Sequence, residues 1–132
     1  MSGTKVLIPY LKNDAALMSL LNEEPYIFQL EKPDQPEYKA IDPFIVINEK
    51  IVNSNLGIHD VQFQLHIVSK SSAKTLEIQQ RLIELLDNVR QEYLMDSETV
   101  IRNIYLLNGG GTIKSPDDKD KWETIVFFLA KI

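Results

Sequence analysis

Apolar and polar positions alternate most cleanly at residues 58–68, where Val61, Phe63, Leu65 and Ile67 take turns with Asp60, Gln62, Gln64 and His66. A period of two puts the first set on a core face and the second on a polar face, which predicts a β-strand. Residues 44–52 (FIVINEKIV) form a second strand, its FIVI run apolar enough for burial on both faces. Asn53-Ser54-Asn55-Leu56-Gly57 between the two is turn chemistry, so the pair reads as an antiparallel hairpin. The period then changes. Over 73–93, Ile78, Leu82, Ile83, Leu85, Leu86, Val89 and Tyr93 fall in one arc, with Lys74, Glu77, Arg81, Glu84, Asn88 and Gln91 opposite. That is a helix lying on a sheet with one face in water, capped by Ser71 or Ser72 and carrying an i,i+4 pair of Glu77 with Arg81.

The N-terminal 4–22 segment places Leu7, Leu11, Met18 and Leu21 near one stripe, as a helix or broken helix would. Pro9 starts or kinks it, Asn13 or Asp14 caps its second part, and Glu23-Glu24-Pro25 ends it. A short strand is expected at 26–30 (YIFQL) and an extended loop at 31–43, which holds prolines at 33, 36 and 43. After a turn at 95–98, residues 99–107 (TVIRNIYLL) and 122–132 (WETIVFFLAKI) read as strands, the second central because of its IVFFL run. Between them lies a 14-residue loop at 108–121. The expected fold is a single α+β domain over 1–132: a mostly antiparallel sheet of four or five strands with two helices packed on one face. Leu82, Leu86 and Val89 should then meet Val61, Phe63 and Leu65.

Composition narrows the function classes. Hydrophobic residues are 44% and charged residues 25%, which excludes a fully disordered chain. The net charge of −5 argues against broad phosphate-backbone binding, although it leaves room for a local basic patch. Without cysteine there is neither a disulfide scaffold nor a thiolate zinc site. No stretch nears the ~20 apolar residues of a membrane span. Residues 6–10 are too short for a signal-peptide core, and no glycine directly follows the first methionine, so the expectation is a cytoplasmic chain.

No catalytic constellation emerges. The glycines at 109–111 lack the spacing and the following helix of a phosphate-binding loop. His59 and His66 have opposite strand parity and cannot share a metal, while Asp60 lies about 20 Å from His66 at strand rise. Both histidines therefore read as ordinary surface or edge residues. Asp117-Asp118-Lys119-Asp120-Lys121 interleaves lysines where a calcium loop needs oxygen donors, which makes it a solvated charged loop. Ser69, Ser71 and Ser72 beside Lys70 and Lys74 serve helix capping. Neither a metal nor an organic cofactor is expected, and no turnover.

The order of elements nevertheless resembles a family. The Asp14-Ala15-Ala16-Leu17 stretch followed by Leu20-Leu21, the Pro43-Phe44-Ile45-Val46-Ile47 strand, and the Val61, Phe63, Leu65, Ile67, Ser69, Ser71 series running into the long helix look like the tail-terminator or tail-completion proteins of long-tailed bacteriophages or prophages. The resemblance covers nearly the whole chain. It implies a homo-oligomeric ring, usually a hexamer, that caps the tail tube and joins it to the head. Its partners would be the tail tube protein and head–tail connector proteins, with DNA passing through the pore without specific binding. Its place would be the virion tail, after assembly in the host cytoplasm, with no membrane contact. An acidic chain suits such a pore. The strand ends Leu65-His66-Ile67-Val68 where that family often has Asp-x-Trp, which keeps head–tail connectors and minor capsid proteins of similar size as alternatives. A small enzyme, or a module that binds a peptide or ligand by adding a strand to its sheet edge, belongs to other classes. The candidate contact segment is the 108–121 loop, with Gly109, Gly110, Gly111, Lys114, Asp117, Asp118, Lys119 and Asp120. Its glycines and charges bury too little to offset ordering, so it is expected to be mobile alone and to order against a partner.

Overall fold

The segment with the cleanest alternation is the middle of the sheet. The computed structural model describes residues 3–38, 40–55, 58–87, 94–95, 99–116 and 119–132. Helices α1 (Thr4–Lys12) and α2 (Ala15–Leu20) lead into strand β1 (Ile27–Gln29), a 3-10 turn (Pro36–Tyr38), strands β2 (Phe44–Asn55) and β3 (Ile58–Ser69), helix α3 (Ser72–Leu86), and strands β4 (Asn103–Lys114) and β5 (Trp122–Lys131). Among these, the strand order is β1-β2-β3-β5-β4. β1 runs parallel to β2, and the other pairings are antiparallel. This is the expected mostly antiparallel α+β sheet. β5 is interior, as its apolar run required.

All three helices share one face. Val61, Phe63, Leu65 and Ile67 are buried with Ile78, Leu82 and Leu86 of α3 and with Leu7, Leu11, Leu17 and Leu21 of the N-terminal helices. Leu82 and Leu86 thus join the core strand residues as expected; Val89 lies outside the described residues, as do 88–93 of the expected helix. Pro9 sits inside α1 on its exposed side. Asp14 caps α2 and Ser71 caps α3, each accepting from a backbone N–H three residues on. On the opposite face, Ile41, Phe44 and Val68 form a smaller cluster with Tyr26, Phe28, Tyr38 and Val46 packed against it. The short turn Pro36–Tyr38 brings the Tyr38 ring edge-on to Phe28 at 5.5 Å. Of the FIVI run, Val46 is only half-buried, since this second face is partly open.

Three expectations need correction. β4 begins at Asn103, not 99, and continues to Lys114, so half of the expected 14-residue loop is strand. Its glycines serve register shifts between Leu106/Asn108 and Gly109/Thr112. Gly111 takes φ 82°, and a Cβ on Gly110 would stand 2.9 Å from the Ile125 carbonyl oxygen. A bulged strand pressed against its neighbour selects glycine as strongly as a turn does. Second, Arg81 pairs with Asp14 and Glu84 in place of Glu77. A buried-side carboxylate on another helix offers a better-shielded partner than an exposed one on the same helix. Third, His66 is not an ordinary surface residue, for reasons given below.

Candidate functional site

The open sheet face carries a groove of about 630 Å³. Phe44 and Val46 of β2, His66 and Val68 of β3, and Glu123 and Ile125 of β5 form its floor. Residues Leu30, Glu31 and Lys32 make one wall; Ile113, Ser115, Pro116 and Lys121 make the other. Strand parity dictates this floor. Phe44 and Val46 alternate with the core residues Ile45 and Ile47, and their partners across the ladder are Val68 and His66. Val68 in turn faces Glu123, and His66 faces Ile125.

His66 and Glu123 are therefore diagonal neighbours on one face, and the His66 Nδ1–H donates to Glu123 Oε1 at 2.7 Å. Their side chains are 21% and 13% exposed. This contact fixes the orientation of the ring and turns Nε2 away from Glu123. That Nε2 is buried with no partner among the described residues. Sequence reasoning missed the pair because it compared His66 with Asp60 on its own strand. The missing information was the β3–β5 register. Asp60 instead sits 3.5 Å from Lys131.

Two lysines flank the Phe44 ring. Lys32 Nζ lies 5.2 Å and Lys121 Nζ 5.3 Å from its centroid. Lys121 is buried and donates to the Ile41 carbonyl at 3.0 Å. It ties the β4–β5 connection to the segment before β2, where a solvated lysine was expected. Lys114 covers the Trp122 ring at 4.1 Å. A hydroxyl chain locks the bulged part of β4 from behind. Thr75 Oγ1 donates to the Ser72 carbonyl at 2.6 Å and accepts from Thr124 Oγ1 at 2.8 Å. Thr124, its proton so used, accepts from Thr112 Oγ1 at 2.7 Å.

The contact residues expected from sequence are thus divided. Gly109, Gly110, Gly111 and Lys114 belong to β4, Lys119 and Asp120 are exposed in the short remaining connection, and Asp117 and Asp118 lie outside the described residues. Among the described residues no group of three His, Cys, Asp or Glu could hold a metal ion. The geometry is suited to recognition. It offers a mostly apolar floor with an oriented imidazole–carboxylate pair, and walls that carry Glu31, Lys32 and Lys121.

Away from the groove, Arg81 grips Asp14 in a two-pronged contact, Nη2 to Oδ1 at 2.6 Å and Nε to Oδ2 at 2.9 Å. The guanidinium hydrogen bond, followed by the Leu17 amide, holds the Asp14 carboxyl below the usual range against a desolvation that acts the other way. The same contact raises the Arg81 pKa.

No protein-family model matches the chain, and no curated protein does. Among solved structures, it resembles a chain of the "Virion of native gene transfer agent (GTA) particle". The TM-score is 0.75 at 12% identity, over 96% of this chain and 91% of that one. The likeness spans both chains almost end to end, and the two share one fold.

Proposed function

We propose that this chain is a structural virion protein: a tail terminator that forms a ring on the end of a tail tube and joins it to the head. One observation carries the reading. The whole fold, not a fragment of it, matches a chain of a gene transfer agent virion, a phage-like particle. The element order that resembles tail terminators is what narrows the reading from a virion chain to that component. The groove and the β4–β5 connection that walls it supply a recognition surface with no catalytic group assigned. Gly109, Gly110, Gly111, Lys114, Asp117, Asp118, Lys119 and Asp120 are the residues we place against the tail tube or a neighbouring subunit.

The test is assembly. The purified chain mixed with tail tubes should appear by electron microscopy as a ring, of six copies, at one tube end, and it should stop tube growth. Replacing residues 116–120 by Asn-Gly should leave the fold intact, because the Thr112–Thr124–Thr75 chain holds β4 without them. The shortened chain should fail to complete tails. Normal infectious particles from it would remove Asp117, Asp118, Lys119 and Asp120 from the contact assignment. A chain that binds heads and ignores tubes would instead be a head–tail connector or minor capsid protein.

A further inference from the structure

Strand β4 is by itself a poor ruler for the segment that follows it. Its pairing with β5 shifts between Leu106/Asn108 and between Gly109/Thr112, and three consecutive glycines give that pairing few side chains to hold it. Register is weakly specified in such glycine-rich strands, and residues 116–120 would inherit any slip.

The base of this connection is nevertheless fixed. The Ser115 amide donates to the Lys121 carbonyl at 2.9 Å, and both residues are buried, whereas Pro116, Lys119 and Asp120 between them are exposed. The Lys121 ammonium then reaches the Ile41 carbonyl at 3.0 Å, 80 residues earlier in the chain, with the Phe44 ring centroid 5.3 Å away. The segment around Ile41 is itself tied down. The Asp42 carbonyl accepts from Asn22 Nδ2 at 3.1 Å, just beyond α2, and Asp42 Oδ1 accepts the Lys70 amide at 3.0 Å, between β3 and α3. Lys121 therefore joins the connection to a post that does not depend on β4.

A position only 3% exposed would more simply hold methionine, which has nearly the reach of lysine and no ammonium to desolvate. What methionine lacks is direction. An apolar side chain accepts any arrangement that hides it, whereas a buried ammonium is satisfied only where its acceptor lies. We infer that Lys121 is the positioning residue of the β4–β5 connection, its ammonium specifying where residues 116–120 stand on the sheet for their contact. The consequence for assembly rests on the tail-terminator reading; the placement of the connection is a property of the isolated chain.

Lys121→Met in the full chain tests this. Loss of the hydrogen bond and relief of the desolvated ammonium act in opposite directions, so the urea midpoint should move little. Amide hydrogen exchange separates position from stability. At Ser115 it should speed up about tenfold or more, while the amides of β3 stay as slow as before. Tail completion by the variant should fall about tenfold with the chain still folded. Unchanged exchange at Ser115 overturns the proposal. So does a variant that fails to fold, or one whose midpoint drops while exchange rises across β3 as well, because Lys121 is then a residue of general stability. In the unmutated chain the Ser115 amide should already exchange about a hundredfold slower than in an unstructured peptide, and free exchange there overturns the proposal without any variant. If exchange rises at Ser115 alone and neither chain caps a tail tube, the positioning stands and the tail-terminator reading falls. If the unmutated chain caps tubes and the variant caps them equally well, the reading stands and the positioning role falls.

Discussion

Asp14 does two jobs with one carboxylate, and separating them tests how the N-terminal helices are held to α3. Its Oδ2 accepts the Leu17 amide at 2.8 Å as the cap of α2, while both oxygens take Arg81 from α3. Asp14→Ala loses the cap, about 1 kcal/mol, as well as the ion pair. Charge-assisted bonds contribute ~1.5–3 kcal/mol when shielded. The side chains here are 15% and 30% exposed and Arg81 keeps Glu84, so about 1–2 kcal/mol is the reasonable share after screening. Asp14→Ala should therefore cost ~2–3 kcal/mol in urea denaturation, and Asp14→Asn, an equally good cap, ~1–2 kcal/mol. A double-mutant cycle with Arg81→Met should return a coupling of about 1 kcal/mol. The acid response follows from the lowered Asp14 pKa. A depressed folded pKa adds stability that is complete above the unfolded carboxyl value of about 4 and is lost as pH falls through the folded value. Wild type should thus lose more stability than Asp14→Asn between about pH 5 and pH 2. A coupling within about 0.3 kcal/mol of zero, with parallel pH profiles, would refute the clamp.

Two further outcomes test the layers. Leu86→Ala, fully buried between α3 and the sheet, should cost ~2–5 kcal/mol by denaturant unfolding, and an unmoved midpoint would remove the helix-on-sheet packing. Gly110→Ala drives a Cβ against the Ile125 carbonyl and should cost ~1–3 kcal/mol; a neutral result would mean that residues 109–111 are loop after all.

Where one residue's neighbours along the chain decide its environment, the sequence could be read. The alternation at Val61–Ile67 placed the central strand, and the arc through Ile78, Leu82 and Leu86 placed its helix, because burial on one side imposes a period. Ser71 and Asp14 were legible as caps for the same local reason. The glycines at 109–111 were misread because local chemistry there is degenerate. A glycine needed for a close approach to a neighbouring strand looks, along the chain, like one needed for a turn, and only the Ile125 backbone tells them apart.

The groove was illegible for a related reason. Its chemistry is assembled from side chains 57 residues apart, His66 and Glu123, by a register no single strand encodes. The one expected ion pair failed in the same way: Glu77 lost Arg81 to a carboxylate 67 residues earlier in the chain. Charged residues take whichever opposite charge the fold shields best, and shielding is a tertiary property. A half-exposed polar face was therefore expected to be plain surface. What distinguishes it is the neighbouring Lys121, whose ammonium is buried against the Ile41 carbonyl and the Phe44 ring. A lysine is held in such a place only when hydrogen bonding and a ring face replace its water. That sets Lys121 at one place in the wall of the groove, and a placed cation beside an oriented imidazole can select a partner at less entropic cost than freely moving side chains would.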